Sequence, residues 1–244
     1  MKISIITVCY NNESSIGDCL KSVANQKGDI EHVLIDGFSN DNTVKIIKSY
    51  PHVAFFSSEK DAGIYDALNK GLKAATGDII GFLHSDDTFY SDTILEQVHD
   101  QFLIDPTLDA LYGDIVFVNH HGKQVRYYSS KNFSTSDFAK GKMPAHTSFF
   151  AKREIYDDFQ FKLGYTIAAD FDHLLRVFMS NKFTIKYMPL LTTRMLVGGA
   201  STKNIRSRIT INQEIIRSCA ENEVKTNWLK VYSKYFRKIF EFKF

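Results

Sequence analysis

Cysteine is scarce in this chain of 244 residues: Cys9, Cys19 and Cys219, an odd number without CxxC spacing. That excludes a disulfide framework and a zinc site, and fits small buried thiols in a reducing compartment. Long apolar runs are missing as well. None approaches the ~18 residues that cross a bilayer. The opening stretch from Lys2 to Val8 is too short for a signal peptide and runs into Asn11-Asn12. A cytoplasmic protein is expected, with any membrane contact peripheral. The glycine fingerprints of phosphate cradles are also absent: neither GxGxxG nor GxxxxGKS/T occurs, which excludes a dinucleotide site and a P-loop of the usual kinds. Excess charge is lacking too. The net charge is +2, and no nucleic-acid partner is expected. The charge is uneven, however. From Lys203 onward ten lysines and arginines face four acids, a local +6, so residues 1–202 carry −4. A basic tail on an acidic body points to a polyanionic or membrane-surface partner for the tail.

What is present is a strand–helix repeat. Residues 3–8 read as a buried β-branched strand, followed by a helix from Ser14 or Ser15 to about Gln26 with Ile16, Leu20 and Val23 inward. Strands at 32–35 and 53–57 alternate with helices from Asn40 or Asp41 to Ser49 and from Ile64 to Ala75. Ile79–Leu83 forms a fourth strand. Short continuous apolar strands separated by helices make a parallel sheet covered on both faces. In such sheets ligands bind beyond the carboxyl ends of the strands. Those ends carry Thr7, Tyr10 and Asn11, then Asp36, then Glu59 and Asp61, then Ser85, Asp86 and Asp87. The adjacent carboxylates Asp86 and Asp87 repel unless compensated, and a hard divalent cation shared with substrate phosphates is the natural partner. As an alternative, the same residues form a turn or cap the helix near Ser91.

The motifs ITVCYNN (6–12), IDGFSNDNT (35–43), EKDAGIYDALNKGLKAATGD (59–78) and FLHSDD (82–87) follow one another in order. Together they resemble the nucleotide-sugar domain of family 2 glycosyltransferases, over roughly residues 1–200. GIYDALNKG is similar in particular to small bacterial transferases of capsule, exopolysaccharide or lipopolysaccharide synthesis. The resemblance implies the GT-A fold, a Rossmann-like mixed sheet flanked by helices, holding the nucleotide-sugar and acceptor sites in 1–200. Residues 201–244 are then a helical C-terminal appendage. It also implies roles for individual residues. Asp36 would accept a hydrogen bond from uracil, and Thr7, Tyr10 and Asn11 would lie along the loop around the base. Asp61, Asp66 and Asn69 would stand near the diphosphate and ribose. Ser85 and Asp86 match the DxD-type segment, with Asp86 on Mn²⁺ or Mg²⁺ and Asp87 facing the sugar or shaping the turn. His84 replaces the first acid of that pattern. His146, in PAHTSFF, would face the diphosphate or donor sugar and, if charged, help the leaving group.

Further along, 110–118 and 125–129 read as a hairpin about His120-His121-Gly122, and Ile167–Met179 as a helix. Acids suit the first turn of a helix, which accounts for Asp170 and Asp172 without chemistry. The resemblance instead aligns Asp170 with the general base, and favours it over Asp172. Phe183–Val197 reads as a strand pair split by Pro189, with Arg194 and Gly198-Gly199 as a flap over the diphosphate. The QxxRW signature of processive members is missing, which implies one sugar per acceptor. Helices are expected at 201–219 and 227–242. The second has Trp228, Val231, Tyr232, Tyr235, Ile239 and Phe242 on one side and Lys230, Lys234, Arg237 and Lys238 on the other. Such a helix suits an anionic bilayer or packing on its own domain.

The expectation is thus an inverting transferase moving a sugar from a UDP-sugar to a hydroxyl of a glycan or lipid-linked acceptor, peripheral at the inner face of the plasma membrane. A nucleotidylyltransferase and a non-catalytic sugar- or lipid-binding module are the alternatives.

Overall fold

The computed structural model describes residues 1–198 and 205–238. Its first half is the expected repeat: β1 (Ile3–Cys9), α1 (Ile16–Ala24), β2 (Ile30–Asp36), α2 (Thr43–Ile47), β3 (Val53–Ser58), α3 (Ile64–Ala74) and β4 (Ile79–Phe82). All four strands run parallel, with Ile3 opposite both Ile30 and Ile79. Every residue of β1 is buried, as a central strand covered on both faces requires. In β3, at the sheet edge, the pattern breaks into half-exposed and exposed positions.

The second half turns the sheet mixed. It contains β5 (Thr88–Phe89), α4 (Ile94–Ile104), β6 (Ala110–Val118), β7 (Gln124–Tyr128), β8 (Phe149–Lys152), α5 (Glu154–Asp158), α6 (Ala169–Met179), β9 (Ile185–Leu196), α7 (Ile205–Glu221) and α8 (Trp228–Lys238). Among the described residues the strands follow the order β3-β2-β1-β4-β8-β6-β9-β5, with β7 paired to β6. Strand β8 is antiparallel to both β4 and β6, whereas β9 runs parallel to β6.

One expectation needs correction here. The stretch Phe183–Val197 holds one long strand, β9, not a pair. Pro189 falls where the β6–β9 register slips between Tyr112 and Asp114, so its missing N–H falls at the irregularity in the ladder. His146 lies in a short 3-10 turn, His146–Ser148, ahead of β8. The expected flap residue Gly199 and the tail residues Ile239 and Phe242 lie outside the described residues, as do the side chains of Arg237 and Lys238.

The three cysteines are free and buried. The main core packs α3 and α6 together against one face of the sheet, and α7 and α8 add Ile215, Cys219 and Val231 to it. Among the described residues no helix is long and apolar enough to cross a membrane.

The slip between β6 and β9 depends on Gly113. A Cβ there would lie 2.3 Å from the Leu190 carbonyl oxygen and 3.1 Å from Thr192 Cγ2. Backbone cannot retreat as a flexible side chain can, so Gly113→Ala is expected to cost roughly 2 kcal/mol in urea denaturation. An unchanged midpoint would contradict this close contact.

Candidate active site

The register of the parallel strands brings their carboxyl ends to one rim: Cys9 pairs with Asp36, and Asp36 with Ser58. The loops beyond are stitched together. The Asn11 amide donates to Ser39 Oγ at 2.8 Å, and the Asn40 amide to Asn11 Oδ1 at 2.9 Å. Between them opens a cleft of ≈ 440 Å³ lined by Tyr10, Gly37, Phe38, Asn40, Lys60 and Asp61. A Cβ on Gly37 would stand 2.7 Å from Asp61 Oδ2 and would push that carboxylate aside. Tyr10 is 60% and Phe38 57% exposed, and Phe38 holds a left-handed φ of 69°, unusual for an aromatic residue. The Lys60 ammonium stands 5.9 Å from the centre of the Phe38 ring. Two exposed rings beside a carboxylate and an ammonium make a wall suited to a planar, polar ligand. Sequence reasoning missed Phe38 and Lys60, since an exposed aromatic in a loop carries no periodic signal.

Several residues expected at the ligand carry hydrogen bonds within the protein itself. Asp36 is fully buried, and its carboxylate already accepts from the Ser39 amide (3.0 Å), Ser39 Oγ (2.5 Å), Ser58 Oγ (2.6 Å) and Cys9 Sγ (3.6 Å). It organises the rim from beneath, and a base could bond to it only by displacing one of these donors. Thr7 is buried too, its Oγ1 3.0 Å from His32 Nε2, which places it behind the rim. Asn69 spends both ends of its amide on the backbone of Phe161, donating at 2.8 Å and accepting at 3.1 Å. Asp66 accepts from the Ala62 amide and pairs with Lys70 at 3.3 Å, while Asp61 accepts from the Gly63 amide at 2.9 Å. The two carboxylates brace the turn into α3.

After β4 the chain makes a tight turn, in which the Asp87 amide donates to the His84 carbonyl. Ser85 is buried and Asp86 half-buried. Of the two positions open to Asp87, the structure shows the inward one. Its Oδ1 accepts from the Leu196 amide at 3.1 Å, tying the turn to β9, and its Oδ2 is buried without a partner. Burial, with Asp86 adjoining, pushes the Asp87 carboxyl well above the usual range. Arg194 likewise points away from a flap role, its guanidinium 4.4 Å from the Tyr90 ring centre and bonded to the Phe89 carbonyl.

A row of imidazoles runs inward from this turn. His84 and His146 lie 6.2 Å apart between ring centres, and His146 and His173 of α6 lie 6.5 Å apart. The row puts the HSDD turn and α6 on the same side of the sheet. His146 stacks on Phe82 at 4.7 Å, and both its ring nitrogens lack partners. Burial holds it well below the free-imidazole range. The expectation of a charged His146 assisting a leaving group is thereby corrected: an unpartnered imidazole among aromatic rings stays neutral.

The first turn of α6 separates its two acids. Asp172 is fully buried and consumed. It accepts from Arg176 Nε (2.7 Å), Ser218 Oγ (2.9 Å) and Asn222 Nδ2 (3.2 Å), and burial notwithstanding these partners hold it below the usual range. Asp170 is half-buried. Its Oδ1 accepts from the Phe171 amide at 2.8 Å and, at 3.5 Å, from Tyr65 Oη in the first turn of α3. Desolvation raises it to about 6, the direction expected from its apolar surroundings. Tyr65 thus links Asp170 to the segment whose preceding loop lines the cleft.

A family model described as Glycosyl transferase family 2 matches residues 4–174. The chain belongs to glycosyltransferase family 2. This family 2 transferase is 32% identical over 179 residues to an uncharacterized glycosyltransferase of Mycobacterium tuberculosis (strain H37Rv), covering 71% of this chain and 68% of that one. It is 29% identical over 191 residues to the PGL/p-HBAD biosynthesis glycosyltransferase of Mycobacterium bovis (strain BCG), covering 76% and 73%. Among solved structures it is similar to S. aureus TarS 1-349 in complex with UDP-GlcNAc, with TM-score 0.69, 19% identity and coverage of 89% and 66%. The mannosyltransferase PcManGT of Pyrobaculum calidifontis in complex with GDP-Man and Mn2+ gives TM-score 0.67, 19% identity and coverage of 92% and 65%. The transferase therefore spans about two thirds of the length of these solved chains. Likeness at that identity establishes the fold, which is GT-A. Family membership makes it an enzyme of sugar transfer, so the nucleotidylyltransferase and non-catalytic alternatives are set aside.

The buried imidazoles of the transferase give its stability a pH dependence. Burial lowers His32 and His173 to about 3 and His146 well below its ordinary value. Their unfolded forms take up protons first. Stability is therefore unaffected well above pH ~6.5 and falls as pH drops from ~6.5 toward ~3, by about 1.4 kcal/mol per pH unit for each such histidine. Thermal melting between pH 7 and pH 5 should show this fall, with a shallower slope for His173→Phe. Equal slopes would contradict it.

Proposed function

We propose that this chain transfers a sugar, with inversion, from a UDP-sugar to a hydroxyl group of a glycan or lipid-linked acceptor, one sugar per acceptor. The observation that carries this reading is Asp170, a carboxylate raised to about 6 and tied through Tyr65 to the α3 turn beside the cleft. At pH 7 such a group is mostly ionised, yet basic enough to take a proton from an alcohol as it attacks. Deprotonation at one face of the sugar and departure of UDP at the other make a single displacement, which inverts the anomeric centre. The neighbouring structures with UDP-GlcNAc and GDP-Man support a nucleotide-sugar donor. Tyr10 and Phe38 would flank the uracil, and Lys60 and Asp61 would meet the polar part of the nucleotide.

Asp86 fits a role in holding Mn²⁺ or Mg²⁺. Among the described residues no cluster of three or more His, Cys, Asp or Glu could hold an ion. Such cations, however, bind through one or two carboxylates together with substrate phosphates, and need no protein cage. When bound, the ion would act as a Lewis acid for charge developing on the departing diphosphate. Asp87, turned inward to Leu196, holds the turn that presents Asp86. Asp170→Asn should lower transfer by roughly 10²–10⁴-fold while UDP binding, read by calorimetry with Mn²⁺, stays near wild type. Asp86→Ala should weaken both. Turnover retained in Asp170→Asn would contradict the assignment.

The reading extends to an anionic membrane surface on the cytoplasmic side. Val231 of α8 is buried, and Tyr235 Oη lies 3.3 Å from Asn212 of α7, so part of the apolar face packs on the protein itself. Trp228, Leu229 and Tyr232 stay exposed, Leu229 at 84%. Exposed rings and a leucine on a basic helix suit insertion at a lipid interface. Replacing all three by serine leaves Val231 in place. It should lower co-sedimentation with anionic phospholipid vesicles several-fold without loss of activity on a soluble acceptor, and equal sedimentation would remove the membrane contact.

A further inference from the structure

The loop that delivers Asp170 is held by a residue from another part of the chain. Glu214 lies on α7, and its carboxylate accepts from three consecutive backbone amides: Thr166 at 2.6 Å on Oε1, and Ile167 and Ala168 at 2.9 Å each on Oε2. These amides immediately precede α6. A helix start leaves N–H groups without partners, and they are usually met by a Ser, Thr, Asp or Asn side chain at the cap. Here the cap is Ala168, which has no such group, and no side-chain cap bond is made. Glu214 meets the cap amide of Ala168 from outside, together with two amides of the loop before it, and is itself buried. Three successive amides converging on one anion form a nest, a rigid arrangement in which the loop has little freedom.

We propose that Glu214 is a positioning residue for transfer: by clamping 166–168 it fixes where Asp170, two residues further on, presents its carboxylate to the acceptor. This inference rests on the reading of Asp170 as the base. The clamp also acts electrostatically. The ionisable groups facing Asp170 are Tyr65 from α3 and Glu214 from α7, and the Glu214 charge is one of the influences raising Asp170. The position has no counterpart in the local sequence of the loop. It makes α7, which follows the segment matched by the family, part of the catalytic apparatus.

The experiment compares full-length wild type, Glu214→Gln, Glu214→Asp and Asp170→Asn by steady-state transfer across pH, with UDP calorimetry and thermal melting. Glutamine turns a donor toward amide donors and removes the charge. Glu214→Gln should therefore lower kcat by roughly 10–100-fold, the scale of a small misplacement of a reacting group, with donor KM within about twofold. Its acid limb of kcat should move to lower pH, because a carboxylate relieved of a neighbouring negative charge ionises more readily. Glu214→Asp, which keeps the charge on a shorter arm, should keep the wild-type limb and recover part of kcat. A wild-type kcat and acid limb in Glu214→Gln would overturn the proposal. So would a fall in kcat matched by a fall in UDP affinity with the limb unmoved, which marks a merely structural residue. If Asp170→Asn keeps its turnover, the base assignment itself fails. If Asp170→Asn is inactive while Glu214→Gln behaves as wild type, only the role of Glu214 fails.

Discussion

A carboxylate withdrawn from water loses several kcal/mol of hydration unless partners replace it, and α6 shows both outcomes within one turn. Asp172 is surrounded by Arg176, Ser218 and Asn222 and stays a firmly ionised anchor between α6 and α7. Asp170 receives a backbone amide and one long tyrosine bond, and its affinity for a proton rises to about 6. The same side chain at positions two apart thus becomes a structural ion in one case and a group poised to exchange a proton in the other. Reactivity here is what remains when desolvation is only partly compensated.

The same accounting sorts the rest of the rim. Groups that the protein itself satisfies would have to give up a partner to take a ligand: Asp36 ties the loop after β2 to the end of β3, and Asn69 holds Phe161. Asp87 gives one oxygen to β9. Those left at the cleft, namely Tyr10, Phe38, Lys60 and Asp61, have exposed or weakly committed polar and aromatic surface. Beneath them the row of neutral imidazoles and aromatic rings from His84 to His173 joins the HSDD turn to α6 without introducing charge.

Much of this was legible in the sequence, for physical reasons. Buried parallel strands are continuous apolar runs, and amphipathic helices repeat at their own period, so β1 to β4 and the helices between them could be read directly. The carboxyl ends of those strands then had to share a rim. The long β9 was misread as two strands because proline normally ends a ladder, and only the register slip opposite Gly113 shows why Pro189 is tolerated. Motif matching named Asp36, Asn69 and His146, but a motif does not say which way a side chain's hydrogen bonds go. Tyr65 and Glu214 act across 105 and about 47 residues of chain, respectively. Such pairings have no local pattern and emerge only from packing.

The account depends most on the environment of Asp170. The direct measurement is a carbon-13 NMR titration of its side-chain carboxyl, assigned by the loss of that resonance in Asp170→Asn. The account predicts a midpoint near 6. A midpoint near the ordinary aspartate value of about 4 would mean that the site leaves this carboxyl as it is in water, and would contradict it.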